Sequence, residues 1–318
     1  MKVLVTGAAG FIGSHSAESL LADGHTVIGL DNFDPFYDRQ AKQANLQAAR
    51  AHRAYTFVEA DIRDGAAMAD LFQTHGPFDA VLHLAARAGV RPSIADPLGY
   101  EQVNVVGTMN LLEQAVRATP RPRFVFASSS SVYGNNPKAP FSESDVVDNP
   151  ISPYAATKKS GELICHTYHH LYGLPVFCLR FFTVYGPRQR PDLAIHGFAR
   201  KILAGKPIQM FGDGQSSRDY TYIDDIVAGI RRAIDRCAGY EVLNLGSNSP
   251  ITLREMIQTV ASACGREPII EKLPMQPGDV DRTFADVSKA GRLLGYQPSM
   301  PFPEGVNRFV EWLQARSA

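Results

Sequence analysis

Residues 2–13 read KVLVTGAAGFIG. The first five, Lys2 to Thr6, form a short apolar run rich in β-branched residues, the composition of a strand buried on both faces. Gly7-Ala8-Ala9-Gly10-Phe11-Ile12-Gly13 follows without a spacer, and Ser14 to Asp23 then reads as a helix stopped by Gly24. Strand, glycine turn and helix in that order are the context a dinucleotide-binding fingerprint requires. The glycines are spaced Gly-x-x-Gly-x-x-Gly rather than Gly-x-Gly-x-x-Gly. The physics is the same: the backbone turns tightly, comes close to a pyrophosphate and offers it N–H groups at the positive end of a helix. A plain tight turn is the bland alternative, and the flanking elements argue against it.

Outward from that turn, Thr26 to Leu30 reads as a second strand ending at Asp31. An acid about 20 residues beyond the glycines accepts hydrogen bonds from an adenosine ribose and repels a 2′-phosphate, which favours NAD over NADP. Asn32 to Asp38 is a turn placed to run along the adenosine, and Gln40 to His52 reads as a helix with a solvated face. Tyr55 to Glu59 is a third strand, followed by Asp61-Ile62, a pair suited to the adenine edge. A helix over about residues 66–74 leads to a strand at Ala80 to His83 and then to Leu84-Ala85-Ala86, small enough to let a cofactor pass close to the backbone. His83, alone at a strand end, reads as a packed side chain. The loop from Arg87 to Arg91 begins near the same point, and Tyr100 to Ala118 reads as one helix. Strands alternating with helices predict an α/β fold, a Rossmann-type, doubly wound parallel sheet.

The next strand, Arg123 to Ala127, delivers the segment ASSSSVYG, with hydroxyls from Ser128 to Ser131; the segment YAATK follows at 154–158. Tyr154 and Lys158 are spaced i, i+4 and share one face of a helix over Tyr154 to Tyr172. An ammonium beside a phenol favours the phenolate and makes it a usable base near neutral pH. A serine hydroxyl opposite can hold a substrate oxygen during proton transfer. Such a pair also arises by chance on helices; the dinucleotide fingerprint gives it meaning here.

The chain has 318 residues, 45% hydrophobic, enough for one large or two unequal domains. Lys+Arg and Asp+Glu are both 32, which points to no nucleic-acid partner and no membrane surface. Cys165, Cys178, Cys237 and Cys264 are far apart and form no metal-type pair; they read as reduced thiols of a cytoplasmic protein, and no metal site is indicated. No apolar run approaches a membrane span. From about Thr183 the character changes: Arg188, Arg190, Arg200, Lys201, Lys206 and Arg218 fall between prolines and glycines. The expected division is a dinucleotide-binding domain of residues 1–182 plus about 223–247, and a smaller, discontinuous substrate domain of about 183–222 plus 248–318. Glu241 to Leu245 would be the strand that returns to the sheet.

Taken together, GAAGFIG, HLAA, SSSSVYG, YAATK, RFFTVYGP and SSRDYTYIDD resemble the extended short-chain dehydrogenase/reductase family, specifically its nucleotide-sugar 4-epimerases, over essentially the whole chain. DNFDPFYD and the Thr in FFTVYGPRQRPD are most similar to the bacterial UDP-glucuronate 4-epimerases. The resemblance implies that Tyr154 is the general base and then acid, that Lys158 lowers its pKa and holds the nicotinamide ribose, and that Ser129 bonds the sugar O4. Ser128, Ser130 and Ser131 leave that last choice open by one position. It implies NAD on Gly7, Gly10, Phe11, Ile12, Gly13, Asp31, Asn32, Asp61, Ile62, Leu84, Ala85 and Ala86, with Tyr154 and Lys158. It implies a UDP-sugar held by Arg91, Ser129 and Ser130, with Arg218 and Arg282 clamping the diphosphate.

The implied reaction takes the C4 hydroxyl proton onto Tyr154 as hydride leaves C4 for NAD. The 4-keto sugar then turns over in the site, and both are returned on the opposite face. Similar 4,6-dehydratases carry an Asp-Glu pair in the serine segment and similar UDP-glucuronate decarboxylases a Glu; Ser130 and Ser131 stand there in this chain, which favours plain epimerisation. A 4-keto uronate is a β-keto acid and loses CO2 if the breaking bond lines up with the carbonyl π-system. Thr183 and Arg190, just beyond the strand that follows the catalytic helix, are the candidates for gripping the carboxylate out of that alignment. The alternatives are a UDP-glucose or UDP-N-acetylglucosamine 4-epimerase, for which one often finds Asn where Thr183 stands, then the decarboxylase, then an NAD-binding regulatory protein. The resemblance also implies a homodimer through helices 100–118 and 154–172.

Overall fold

The structure is a computed structural model and describes residues 1–274 and 281–317. Seven strands form one parallel sheet: β1 (Lys2–Thr6), β2 (Thr26–Asp31), β3 (Tyr55–Glu59), β4 (Ala80–His83), β5 (Arg123–Ser129), β6 (Val176–Phe181) and, after an excursion, β10 (Tyr240–Leu245). Their spatial order is β10-β6-β5-β4-β1-β2-β3. Winding reverses between β1 and β4, where Thr6 is paired with Leu30 on one side and His83 on the other. A crevice opens beyond the carboxyl ends of the strands at such a reversal.

Both faces of the sheet are covered, which is why inner strands such as β1 and β4 are almost continuously apolar rather than alternating. Val3, Val5, Leu82, Val125 and Leu179 pack to one side with Ala17, Leu20 and Ile226. Leu4, Val81, Phe124, Phe126 and Cys178 pack to the other with Met68, Leu111 and Leu112. Burying each of the Val, Leu, Ile, Phe and Met side chains fully contributes about 1.5–3 kcal/mol. The helix Pro153–Tyr172 lies especially close to β5, because a Cβ added at Gly161 would sit 2.3 Å from the Phe126 ring.

After Phe181 the chain leaves the sheet. β7 (Thr183–Tyr185), β9 (Ser217–Tyr222) and β11 (Pro250–Thr252) make a three-stranded sheet, and β8 (Ile208–Phe211) pairs with β12 (Ile270–Leu273). The helix Ile223–Arg236 returns to pack on Phe11–Ala22 and leads into β10 beside β6. Of the segment 248–318 expected to belong with these small sheets, 275–280 and 318 lie outside the described residues.

Three local expectations are corrected. The first helix begins at Phe11, three residues earlier than Ser14, because Gly13 packs on Gly7 inside its first turn. The stretch expected as one helix from Tyr100 is Pro97–Glu101, a π-helical turn Gln102–Val106 and Gly107–Arg117. The region read as a solvated helix is two short helices, Arg39–Asn45 and Gln47–Arg50, in which Lys42, Asn45, Leu46 and Ala49 are buried. Charge pattern misled there: the Lys42 amine donates inward to the Asp34 carbonyl at 2.8 Å, and the Asn45 amide to the Ala9 carbonyl at 3.1 Å.

Candidate active site

A cavity of about 490 Å³ occupies the crevice. Of the residues expected to hold the cofactor, all but Asp61 line it; of those expected to hold substrate, Ser129, Ser130, Thr183 and Arg190 do. Arg91, Arg218 and Arg282 do not. The Arg91 guanidinium lies 5.4 Å from the Phe211 ring centre. Arg218 and Arg282 fall outside the cavity lining: Ser217 pairs with Arg282 along the backbone, the Arg218 Nη1 donates to the Ser217 carbonyl at 2.9 Å, and the Arg282 Nη2 donates to the Pro137 carbonyl at 3.0 Å. Asp61 accepts from Arg63 and, at 2.9 Å, from the Asn32 amide; the Arg63 hydrogen bonds, first of all, hold its carboxyl down at about 2.

The glycine turn is built for close approach. A Cβ at Gly13 would lie 2.1 Å from the Gly7 carbonyl oxygen, and Gly7 itself has φ +69° with the Ala85 amide 2.9 Å from where its Cβ would be. Gly10 caps the helix Phe11–Ala22 with no side chain bonded to its first amides. The helix N-terminus therefore faces the cavity with N–H groups to offer an anion. Asp31 is fixed by the Phe33 amide at 2.8 Å and the Ala9 amide at 3.1 Å, one to each oxygen. Burial raises its pKa, opposed mainly by the Lys42 charge. Each oxygen retains a lone pair for a ribose hydroxyl. Glycine turn, bare helix end and ribose-facing acid fit a dinucleotide.

At the other end, Ser152 caps the helix Pro153–Tyr172 by accepting from the Ala155 amide, with Pro153 at the first position. This presents Tyr154 and Lys158 to the cavity. The Lys158 amine donates to the Ala127 carbonyl at 2.7 Å, and burial lowers its pKa to about 8. The Tyr154 phenol moves the other way from the expectation: burial raises its pKa, and what favours the phenolate is a Ser129 hydrogen bond and the Arg190 charge. The Lys158 ammonium is committed to a backbone carbonyl instead.

The serines separate clearly. Ser128 donates to the Glu162 carboxylate at 2.6 Å, which also takes the Arg180 Nε at 2.7 Å and Nη2 at 2.8 Å, all buried. Ser129 accepts from the Ser131 amide at 3.2 Å, capping the turn Ser130–Tyr133, and remains beside Tyr154. His83 is buried between Thr6 and Thr108, and burial first, then the Lys158 charge, pushes its pKa down to about 3.

Asp34, Phe36, Tyr37, Lys42 and Arg87, none of them singled out as a site residue by the sequence, also line the cavity. The Tyr37 hydroxyl is buried there without a partner among the described residues. The clue was present in the density of acids and aromatics in NFDPFYD, but nothing in a turn of that kind says which side chains fold inward.

Residues 4–309 match the family described as GDP-mannose 4,6 dehydratase. The chain is 43% identical over 331 residues to a probable UDP-glucuronate 4-epimerase of Rhizobium meliloti, covering 98% of this chain and 96% of that protein. It is 44% identical over 311 residues to the UDP-glucuronate 4-epimerase of Thermodesulfobacterium geofontis, covering 97% and 95%. Its structure superimposes, with a TM-score of 0.93 and 37% identity over 99% of this chain and 100% of the other, on the UDP-glucuronic acid 4-epimerase from Bacillus cereus in complex with UDP-glucuronic acid and NAD.

Proposed function

The chain belongs to the family described as GDP-mannose 4,6 dehydratase, and from that premise we infer that it catalyses the NAD-dependent 4-epimerisation of UDP-glucuronate to UDP-galacturonate through a transient 4-keto sugar. The observation that carries the reading is the convergence of Ser129, Tyr154 and Arg190 on the same cavity as the glycine turn and Asp31. Bound NAD supplies the acceptor for hydride from C4 and its later return.

The chain's own residues handle the proton and the geometry. Tyr154 takes the C4 hydroxyl proton and gives it back, and Ser129 holds O4 in line with it. The Arg190 charge eases phenolate formation, and Lys158 holds the nicotinamide ribose. Thr183 and Arg190 grip the carboxylate, keeping the C5–C6 bond out of line with the 4-keto π-system so that CO2 is retained. Ser130 and Ser131, in place of acids, leave the keto sugar with no group to eliminate water. Arg218 and Arg282 hold the diphosphate, and Arg91 joins them in holding the nucleotide sugar; a guanidinium matches phosphate oxygens bidentately.

The chain divides into residues 1–182 plus about 223–247 for NAD and about 183–222 plus 248–318 for the nucleotide sugar, a division supported by the exit of the chain from the large sheet after Phe181 and its return at β10. A homodimer is supported by apolar side chains left exposed on the two expected helices: Met109 on one, Leu163, Leu171 and Tyr172 on the other. Four buried, unbonded cysteines support a cytoplasmic setting. No described helix is long and apolar enough to cross a membrane.

The test is an NMR time course of the purified protein with UDP-glucuronate, with and without added NAD. UDP-galacturonate without UDP-pentose is the expected result. UDP-pentose with CO2 would move the assignment to a decarboxylase. Absence of turnover on UDP-glucuronate, with turnover of UDP-glucose or its N-acetyl analogue, would move it to a neutral-sugar epimerase.

A further inference from the structure

We propose that Asp192 and Phe36 are positioning residues that fix the Arg190 guanidinium for a sugar carboxylate and so set the preference for a uronate over a neutral sugar. The proposal rests on the role given to Arg190 above. Arg190 lies in the loop between β7 and the helix Ala194–Leu203, and its side chain is 17% exposed. Its Nε donates to one Asp192 oxygen at 3.0 Å and its Nη2 to the other at 2.8 Å. The guanidinium carbon sits 5.0 Å from the centre of the Phe36 ring. One edge and one face of the planar group are therefore defined.

A guanidinium has five N–H donors in a rigid fork and can meet two carboxylates, one on each edge. Asp192 uses the Nε/Nη2 edge. The remaining Nη1/Nη2 edge donates no hydrogen bond to any of the described residues, and Arg190 lines the cavity. A long, rotamer-rich side chain left unheld would lose conformational freedom on gripping a carboxylate. Held in advance by Asp192 and by the ring beneath, it loses less, and the saving appears only for ligands that carry a carboxylate.

Phe36 is itself held. The Phe36 amide donates to the Asp34 carboxylate at 3.0 Å, the Asp34 amide to the Asn32 side chain at 2.9 Å, and the Phe33 amide to Asp31 at 2.8 Å. This run of side-chain-closed turns begins at the acid placed for the adenosine ribose and ends under the cation placed for the sugar carboxylate. Asp192 is 43% exposed, so its pair with Arg190 adds little to stability, which is what a binding role rather than a folding role predicts.

The experiment compares Asp192→Ala, Phe36→Leu, Phe36→Tyr and Arg190→Ala holoenzymes by KM for UDP-glucuronate, by inhibition constant for UDP-glucose as a carboxylate-free probe, and by thermal midpoint. Asp192→Ala and Phe36→Leu are each expected to raise the UDP-glucuronate KM by about fivefold or more, with UDP-glucose inhibition changed by less than about twofold and the midpoint nearly unmoved. Phe36→Tyr, which keeps the ring, should restore the wild-type KM. Parallel weakening of both ligands, or an unchanged UDP-glucuronate KM in Asp192→Ala, would overturn the proposal. If Arg190→Ala itself left that KM unchanged, it is the carboxylate role of Arg190 that would fall.

Discussion

The Ser128 hydroxyl donates to the Glu162 carboxylate at 2.6 Å, so the first of the four consecutive serines is spent inside the protein. Glu162 lies two helical turns beyond Tyr154 and is shared with Arg180 on β6. One buried carboxylate thus ties together the strand that ends in the serines, the helix that carries Tyr154 and the strand that leads to Thr183.

This separates the serines experimentally. Ser129→Ala is expected to lower kcat/KM by about a hundredfold, the effect of removing a hydrogen bond aimed at the reacting oxygen, with NAD retained. Ser128→Ala should instead cost about 1.5–3 kcal/mol of stability, since a hydrogen bond to a charged group is lost, while activity stays within a few-fold. Steady-state kinetics with urea denaturation on both variants distinguishes them; equal kinetic losses would refute the assignment.

Arg180→Met removes one partner of a buried pair and leaves the Glu162 charge with Ser128 and the more distant Lys159. Stranding a buried carboxylate costs about 3–5 kcal/mol. The urea midpoint should fall with an unchanged slope, and the double variant Arg180→Met/Glu162→Met should recover much of the loss.

The base should report Arg190 in its pH profile. The Arg190 charge lowers the Tyr154 pKa against the larger upward push of burial. Removing it in Arg190→Ala raises that pKa. With Tyr154 as the base proposed above, active when deprotonated, the rising limb of kcat/KM is expected to move to higher pH. A limb that stays in place, measured in parallel on both proteins, would show that the cation does not act on the base.

His83 predicts an acid weakness. The Thr108 hydroxyl donates to the Asn104 carbonyl at 2.6 Å, so it accepts from the His83 Nε2, and the ring is neutral with its Nδ1 facing Thr6. Its folded pKa is about 3, below the ordinary value of 6.5. Between these values the unfolded chain binds a proton that the folded one does not. Stability is therefore lost as pH falls from about 6.5 toward about 3, by at most about 1.4 kcal/mol per pH unit. The thermal midpoint should drop between pH 7 and pH 5 in the wild type and drop less in His83→Gln.

Gly13→Ala should abolish NAD retention. Its Cβ would stand 2.1 Å from a backbone oxygen in the first turn of the helix, and no side-chain motion relieves that. Absorbance of cofactor in the purified variant is the measurement.

Features that depend on neighbours along the chain can be read from residue types alone. KVLVTGAAGFIG is legible because strand, glycine turn and helix start are set by apolar runs, absent Cβ atoms and free amides within a dozen residues. Tyr154 and Lys158 are legible because helical spacing alone puts them on one face. Which serine is spent on Glu162, that Lys42 points inward and that Phe36 lies under Arg190 became visible only in the folded chain. Each depends on contacts between residues far apart in sequence, such as Ser128 with Glu162 or Phe36 with Arg190, and residue types do not encode which way such side chains turn. The direction of the Tyr154 shift belongs there too, because burial depends on everything packed around the phenol, while helical spacing supplies only the nearest charge.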